Sequence, residues 1–405
     1  MQRRGTKCVL AALLCLGGGW FVGCSPCSAA DLSAATPARA DADGQFDAEI
    51  LGQIPKRMQE FVDLKQISGA VTLVAYRGRI IHLEAVGSAD LENHRPMRPD
   101  TMFCIASMTK PVTATAVMIL QDEGKLSIDD PVSKYVPEFS EVALRDGKPK
   151  QAITLRHCLT HTAGLSGSQQ NEGSLRETIE KLARRPLDFE PGTKWQYSPG
   201  LSVCGRVIEV VSGKSFDEFL AERIFRPLKM ADTTFHPSPA QQQRLARLYQ
   251  PGEGGKSLAP TTHWLIDVSP DKSPNPSGGL FSTAGDMARF YQMILSGGKS
   301  DGQRIVSAAA VREMTKIQTD DLKTGFTDGN AWGLGWCLVR QPQGVTAMLS
   351  PGTFGHGGAF GTQGWVDPQR QMIFVLMIQR TGFGNGDASD VRRTLQELAV
   401  QAVGR

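Results

Sequence analysis

Ser107-Met108-Thr109-Lys110 sets a hydroxyl and an amine three positions apart, just before an apolar stretch, Thr113 to Gln121. Residues three apart share a helix face, so the amine can reach the hydroxyl. A serine hydroxyl is a weak nucleophile until a neighbouring base takes its proton. A lysine whose charged form is disfavoured by burial can serve as that base. Such a pair suits nucleophilic attack by the serine oxygen. Two further S-x-x-K strings, Ser269 to Lys272 and Ser296 to Lys299, contain Pro or Gly in polar loops, where neither side chain is held. Pro111 fits only the first turn of a helix without loss, which predicts an irregular turn around Ser107.

Other residues extend the chemistry. Tyr197-Ser198-Pro199 precedes a helical segment, and Gly355-His356-Gly357-Gly358-Ala359 lies between strand-like segments. Glycines there permit a backbone to approach a ligand closely. Gly298-Lys299-Ser300-Asp301-Gly302 has the spacing of a nucleophile elbow but lacks the strand before it that the elbow requires. His157 and His161 stand four apart without the glutamate of a zinc helix, so no metal is assigned. Asp129-Asp130 and Asp320-Asp321 read as turn or cap residues, and Trp195, Trp332 and Trp336 as core.

These candidates need a scaffold, and the apolar patterning supplies one. Ser68 to Tyr76 and Ile80 to Val86 flank Arg77-Gly78-Arg79, a hairpin signal. Trp332 to Val339, Thr362 to Val366 and Met372 to Ile378 read as further strands, and Ser389 to Val403 as an amphipathic helix. Between them, Thr113 to Gln121, Leu201 to Val211, Phe216 to Ile224 and Met287 to Leu295 read as helices. Thr283 and Asp286 form a capping-box signature before the last. The pattern predicts an α/β (α+β) fold: an antiparallel sheet built from both chain ends, flanked by helices, with a large, mostly helical insertion. The expected sheet parts are residues 46–105 and 330–400, and the helical part 106–329.

Length and composition bound the function. The chain has 405 residues, 40% hydrophobic and 21% charged, with 44 basic and 41 acidic side chains and a formal net charge of +3. That composition supports a substantial core and excludes bulk disorder. No basic run interleaved with aromatics is present, so no nucleic-acid partner is expected. Arg3, Arg4 and Lys7 precede an apolar run from Cys8 to Cys24, the pattern of an export signal. Residues 1–30 are assigned to it, with Ser28-Ala29-Ala30 as cleavage site, and 31–45 to a linker. An imperfect lipoprotein box, Phe21-Val22-Gly23-Cys24, makes Cys24 a competing site for lipidation and a membrane tether. Retention as an uncleaved anchor is the remaining alternative. A periplasmic or secreted location is expected. Cys104, Cys158, Cys204 and Cys337 show no metal-ligand spacing, and no bridge is assigned.

Five segments in order carry a family resemblance: Phe103 to Lys110, Leu159-Thr160-His161-Thr162-Ala163-Gly164-Leu165, Tyr197-Ser198-Pro199, Ser277-Gly278-Gly279-Leu280, and His356-Gly357-Gly358. Over about residues 46 to 400 the chain resembles the serine β-lactamase-like hydrolases: class C β-lactamases, low-molecular-weight penicillin-binding proteins and family VIII esterases. The resemblance implies a β-lactamase/transpeptidase-like fold and no cofactor. It implies Ser107 as the acylated nucleophile, Lys110 as its proton-handling partner and Tyr197 as the proton shuttle, with a phenol pKa lowered by the lysine charge. Backbone N–H groups of Ser107 and Ala359 are implied as the oxyanion hole, and His356, Gly357, Gly358 and Pro199 as substrate contacts. Two departures bear on specificity. Pro199 stands where β-lactamases and peptidases usually carry Asn. His356-Gly357-Gly358 lacks the Lys charge and Thr hydroxyl that help hold a substrate carboxylate. The expectation is therefore a carboxylesterase or acyl hydrolase acting on a small-molecule ester. A β-lactamase or D-alanyl-D-alanine carboxypeptidase, acting on a β-lactam or cell-wall peptide, is the alternative. A catalytically poor binding or sensor protein of the same fold is the weaker one.

Overall fold

All eight residues of Gly69–Tyr76 (β1) are buried, because the strand is covered on both faces. Val71, Leu73 and Ala75 join one core, whereas Ala70, Val74 and Tyr76 join another. Successive side chains of a strand point to opposite faces, so a continuous apolar run is what a doubly covered strand requires. The computed structural model describes residues 45–171, 173–383 and 386–404. The export segment, nearly all of the linker and Cys8, Cys15, Cys24 and Cys27 lie outside the described residues.

β1 turns through Arg77 and Gly78, both at positive φ (49° and 77°), into Arg79–Asp90 (β2). Two consecutive positive-φ residues match the twist of a tight hairpin. Arg95–Pro96 (β3), Asn330–Trp332 (β4), Cys337–Val339 (β5), Phe354–Gly357 (β6), Gln363–Asp367 (β7) and Met372–Met377 (β8) complete the sheet. The order is β4-β5-β6-β7-β8-β1-β2-β3, antiparallel throughout. β1 pairs with β8 in the register Val71↔Met377, Leu73↔Val375 and Ala75↔Ile373. The two ends of the described chain therefore meet in the middle of one sheet, as the patterning predicts.

The longer helices are Gln53–Asp63 (α1), Thr109–Asp122 (α2), Gly200–Ser212 (α3), Ala284–Leu295 (α4) and Asp390–Val403 (α5), of which α3 packs on α2 and not on the sheet. α1 and α5 pack Ile54, Met58, Phe61, Val391 and Leu395 onto one face. On the other, α4 packs on β1 and β8, and its Met287 and Phe290 share one core with Val71, Leu73 and Val375 and with Val112 and Val117 of α2. A fully buried aliphatic side chain contributes about 1.5–3 kcal/mol, so this double cover fixes the sheet's central strands firmly.

Three expectations are corrected. Trp332 to Val339 is two strands, β4 and β5, separated by a turn through Gly335 (φ 73°). A Cβ on Gly335 would come within 2.7 Å of the Ala114 Cβ, so the break lets this turn pack directly on α2. Phe216 to Ile224 is α-helical only to Leu220 and continues as a π-turn, Ala221–Phe225. Only half of the capping box at α4 forms. Thr283 accepts from the Asp286 N–H at 3.2 Å, while the Asp286 carboxylate takes the Asp232 N–H at 2.8 Å and the Thr233 hydroxyl at 3.0 Å. Cys104, Cys158, Cys204 and Cys337 are buried, unbridged thiols.

Candidate active site

The chain enters α2 through a 3-10 turn, Ala106–Met108. Ala106 is fully buried with φ 45°, a left-handed conformation that a residue with a Cβ adopts only when its surroundings impose it. Two side chains at the head of α2 tie it to the loop before α4. Thr109 accepts from the Leu280 N–H at 3.2 Å, and Thr113 donates to the Pro276 carbonyl at 2.7 Å. The irregular turn and these ties present Ser107 at the surface of a cavity with Lys110 beneath it.

Lys110 is fully buried. Its Nζ lies 3.1 Å from Ser107 Oγ and donates to the Ser277 carbonyl at 2.7 Å and to Gln169 Oε1 at 3.0 Å. Burial pushes the amine well below the usual lysine range, because a low-dielectric environment disfavours the charged form. A neutral amine has two N–H donors and one lone pair. The two carbonyl oxygens take the donors, which leaves the lone pair for the Ser107 hydroxyl.

Tyr197 donates to Ser107 Oγ at 2.8 Å, and Lys110 Nζ lies 4.6 Å from the centre of its ring. Burial raises the phenol above the usual tyrosine range. This corrects the expectation of a lowered tyrosine pKa: the lysine is itself driven toward neutrality, so no full positive charge offsets the desolvation. Both partners of Ser107 thus favour their neutral forms, and a proton can pass between them without a standing ion pair.

His161 packs on Tyr197, with ring centres 4.5 Å apart, and its Nδ1 accepts from the Ser198 N–H at 3.1 Å. His157 instead caps its own helix, its Nδ1 accepting from the Thr154 N–H at 3.2 Å. The two histidines therefore serve different elements. In the other S-x-x-K strings, Lys272 is held by the Leu265 and Asp267 carbonyls and Ser296 by Gln292, away from any nucleophile pair.

β6 forms the facing wall. His356 is buried, and its Nδ1–H donates to the Gly357 carbonyl at 2.6 Å. Its pKa is lowered to about 4, chiefly by burial, so the ring is neutral at ordinary pH. Its Nε2 has no partner among the described residues. A Cβ on Gly358 would overlap Thr362 Oγ1 and crowd the Ile105 carbonyl, which explains how this strand approaches the turn bearing Ser107. Beyond it, the Ala359 N–H has no acceptor among the described residues.

Ser107, Tyr197, His356, Gly357, Gly358 and Ala359 all line one cavity of about 640 Å³. Pro199 does not. It sits buried at the start of α3, bordering a small recess behind Gln169, because the first turn of that helix packs inward. The expected substrate contact at Pro199 is thus corrected. Four residues in or beside this cavity escape sequence reasoning. Phe326 and Phe383 line it from glycine-rich loops, an aromatic in such a loop being the only signal available. Asp387 lines it from the segment before α5, and Gln169 reaches Lys110 from a loop 59 positions away. Neither of the latter two carries any spacing signal.

The Beta-lactamase family matches residues 54–399 of the chain. Esterase EstB of Burkholderia gladioli is 30% identical over 354 residues, 79% of this chain and 87% of the relative. A putative D-alanyl-D-alanine carboxypeptidase of Escherichia coli K12 is 28% identical over 365 residues, 82% of each chain. Among solved structures, EstCE1, described as a hydrolase with promiscuous acyltransferase activity, superposes with a TM-score of 0.75 at 25% identity, covering 87% of this chain and 99% of its own. The chain belongs to the Beta-lactamase family and is a serine hydrolase of that fold.

Proposed function

We propose that this member of the Beta-lactamase family is a carboxylesterase-type acyl hydrolase working through an acyl-enzyme on Ser107. The observation that carries the reading is the position of Ser107 Oγ, 3.1 Å from a buried lysine amine and 2.8 Å from a tyrosine hydroxyl, at the edge of a substrate-sized cavity. Neutral Lys110 accepts the Ser107 proton as Oγ bonds to the ester carbonyl carbon. The carbonyl oxygen becomes an oxyanion facing the N–H groups of Ser107 and Ala359, donors that act most strongly on charge developing in the transition state. As the tetrahedral adduct collapses, the ester C–O bond breaks, Tyr197 is placed to hand a proton to the leaving oxygen, and the proton taken up by Lys110 restores the phenol. Water then attacks the acyl-serine under the same groups, releasing the acid and restoring the serine hydroxyl.

Gln169 is a positioning residue in this scheme. Its amide oxygen holds Lys110 at 3.0 Å, supplying the side-chain amide that Pro199 lacks. Hydrolysis of esters over β-lactams or cell-wall peptides is supported by the neutral His356 and by Gly357. Neither offers a charge or hydroxyl to a substrate carboxylate. The likeness to an esterase supports the same choice.

The test compares kcat/KM for a short-chain nitrophenyl ester and a chromogenic cephalosporin on one preparation, with Ser107→Ala as blank. Ester turnover greater by several orders of magnitude is expected. Cephalosporin turnover in excess would reverse the assignment in favour of a β-lactamase or carboxypeptidase. We further propose export by the segment 1–30, with processing before Asp31; a mature N-terminus at Cys24 bearing lipid would replace that site.

A further inference from the structure

Among the described residues lining the Ser107 cavity, Asp387 is the one charged side chain; the others are glycines, alanine, serine, aromatics and the neutral His356. Its placement is built. Gln363 Nε2 donates to Asp387 Oδ1 at 2.9 Å, and Gln363 is itself oriented by accepting from the Trp365 indole N–H at 2.8 Å. Arg392 Nη1 donates to the Asp387 main-chain carbonyl at 2.6 Å. A Cβ at position 357 would overlap Asp387 Oδ1, so the carboxylate fills the space that a side chain on β6 would otherwise occupy, beside His356 and Gly358.

A buried guanidinium stands behind it. Arg392 is buried, with its guanidinium 3.9 Å from the centre of the Trp365 ring, and it does not line the cavity. Lys110 lies below the floor and is driven toward neutrality. A ligand in the cavity therefore meets the carboxylate first. It also meets Tyr197 and Phe326, whose ring centres are 5.0 Å apart, and Phe383. Aromatic faces attract cations, and a carboxylate adds to the same preference while repelling an anion.

We infer that the substrates of this site are esters carrying an organic ammonium group, and that Asp387 selects them over neutral esters and against carboxylate-bearing ones. The inference rests on the reading of Ser107 as an ester-cleaving nucleophile and adds the substrate class to it. It also gives a physical ground for poor use of β-lactams and peptides ending in a free carboxylate.

The test uses three nitrophenyl esters of one acyl chain, ending in trimethylammonium, tert-butyl or carboxylate. The first two groups are nearly isosteric, so their ratio reports charge. In the native protein the ammonium ester should exceed the tert-butyl ester about tenfold in kcat/KM, chiefly through KM, and the carboxylate ester should fall below both. Raised salt should shrink these ratios. In Asp387→Asn the ammonium-to-tert-butyl ratio should approach one, each enzyme serving as its own reference. A flat ratio in the native protein, or one unchanged in Asp387→Asn, overturns the inference while Ser107-dependent cleavage of the tert-butyl ester leaves the esterase reading standing. Absence of Ser107-dependent cleavage of all three overturns both.

Discussion

On the floor of the cavity, Lys110 Nζ is held by Ser277, Gln169 and Ser107, partners brought from three separate segments. Across the same space, His356 Nε2 meets no partner among the described residues, and a carboxylate sits over a bare glycine. The floor comes from the helical part of the chain and the wall from the sheet and the segment after it. A proton relay works only when each lone pair and N–H has one assigned neighbour, so the floor is closed. A wall that must accept varied acyl or alcohol groups is left with one polar atom, His356 Nε2, still to be satisfied. The contrast separates chemistry from selection: damage to the floor should appear in kcat, and damage to the wall in KM and in preference.

The largest effect should come from the floor. Ser107→Ala should lower kcat for a neutral ester by about 10⁴-fold or more, and Lys110→Met by a comparable factor. The double variant should be little worse than either, since residues acting as a unit are not additive. Additive losses, measured by steady-state kinetics on the same ester, would mean that lysine and serine do not share one proton.

Gln169→Leu should cost about 10–100-fold in kcat, as expected for a lost hydrogen bond to a reacting group. The same variant should shift the pH profile. Lys110 acts when neutral, so the rate is lost as pH falls through its pKa. An amide oxygen favours the ammonium over the amine, so removing it moves that acid limb to still lower pH. A profile that stays in place, with only the rate reduced, would reduce Gln169 to a packing role.

Gly357→Ala breaks the wall instead, because the new methyl displaces the Asp387 carboxylate. KM for a cationic ester should rise about tenfold, with a smaller change in kcat. The reverse split would erase the distinction between floor and wall.

The smallest effect on activity lies outside both. His82 on β2 is buried, 2.8 Å from Thr72 Oγ1, and burial lowers its pKa from 6.5 to about 4. Below pH 6.5 the unfolded chain binds a proton that the folded chain refuses, so stability falls as pH drops toward 4 and levels off beneath it. The full difference is about 3 kcal/mol. His82→Gln should flatten this slope in denaturant titrations and leave the acid limb of the ester reaction where it is, separating acid unfolding from the titration of Lys110.

Much of the floor was legible because its chemistry is carried by local spacing. Ser107 and Lys110 are three apart, and an apolar helix follows them. The doubly covered strands β1 and β8 were legible for the same reason, as continuous apolar runs with a hairpin signal at Arg77-Gly78. What escaped depends on contacts between distant segments. Gln169 meets Lys110 across 59 positions, and Asp387 occupies the space above Gly357 only after α5 docks on the sheet. The break between β4 and β5 follows from the close approach of Gly335 to α2, which no window of sequence displays.

The central claim is that Ser107 is a nucleophile made reactive by a neutral Lys110. A fluorophosphonate, which marks activated serines covalently, tests it on the intact protein. Intact mass followed by peptide mapping should show one adduct on native protein, located at Ser107, absent from Ser107→Ala and formed much more slowly in Lys110→Met. No adduct on the native protein, or the same adduct persisting in Ser107→Ala, would contradict the account.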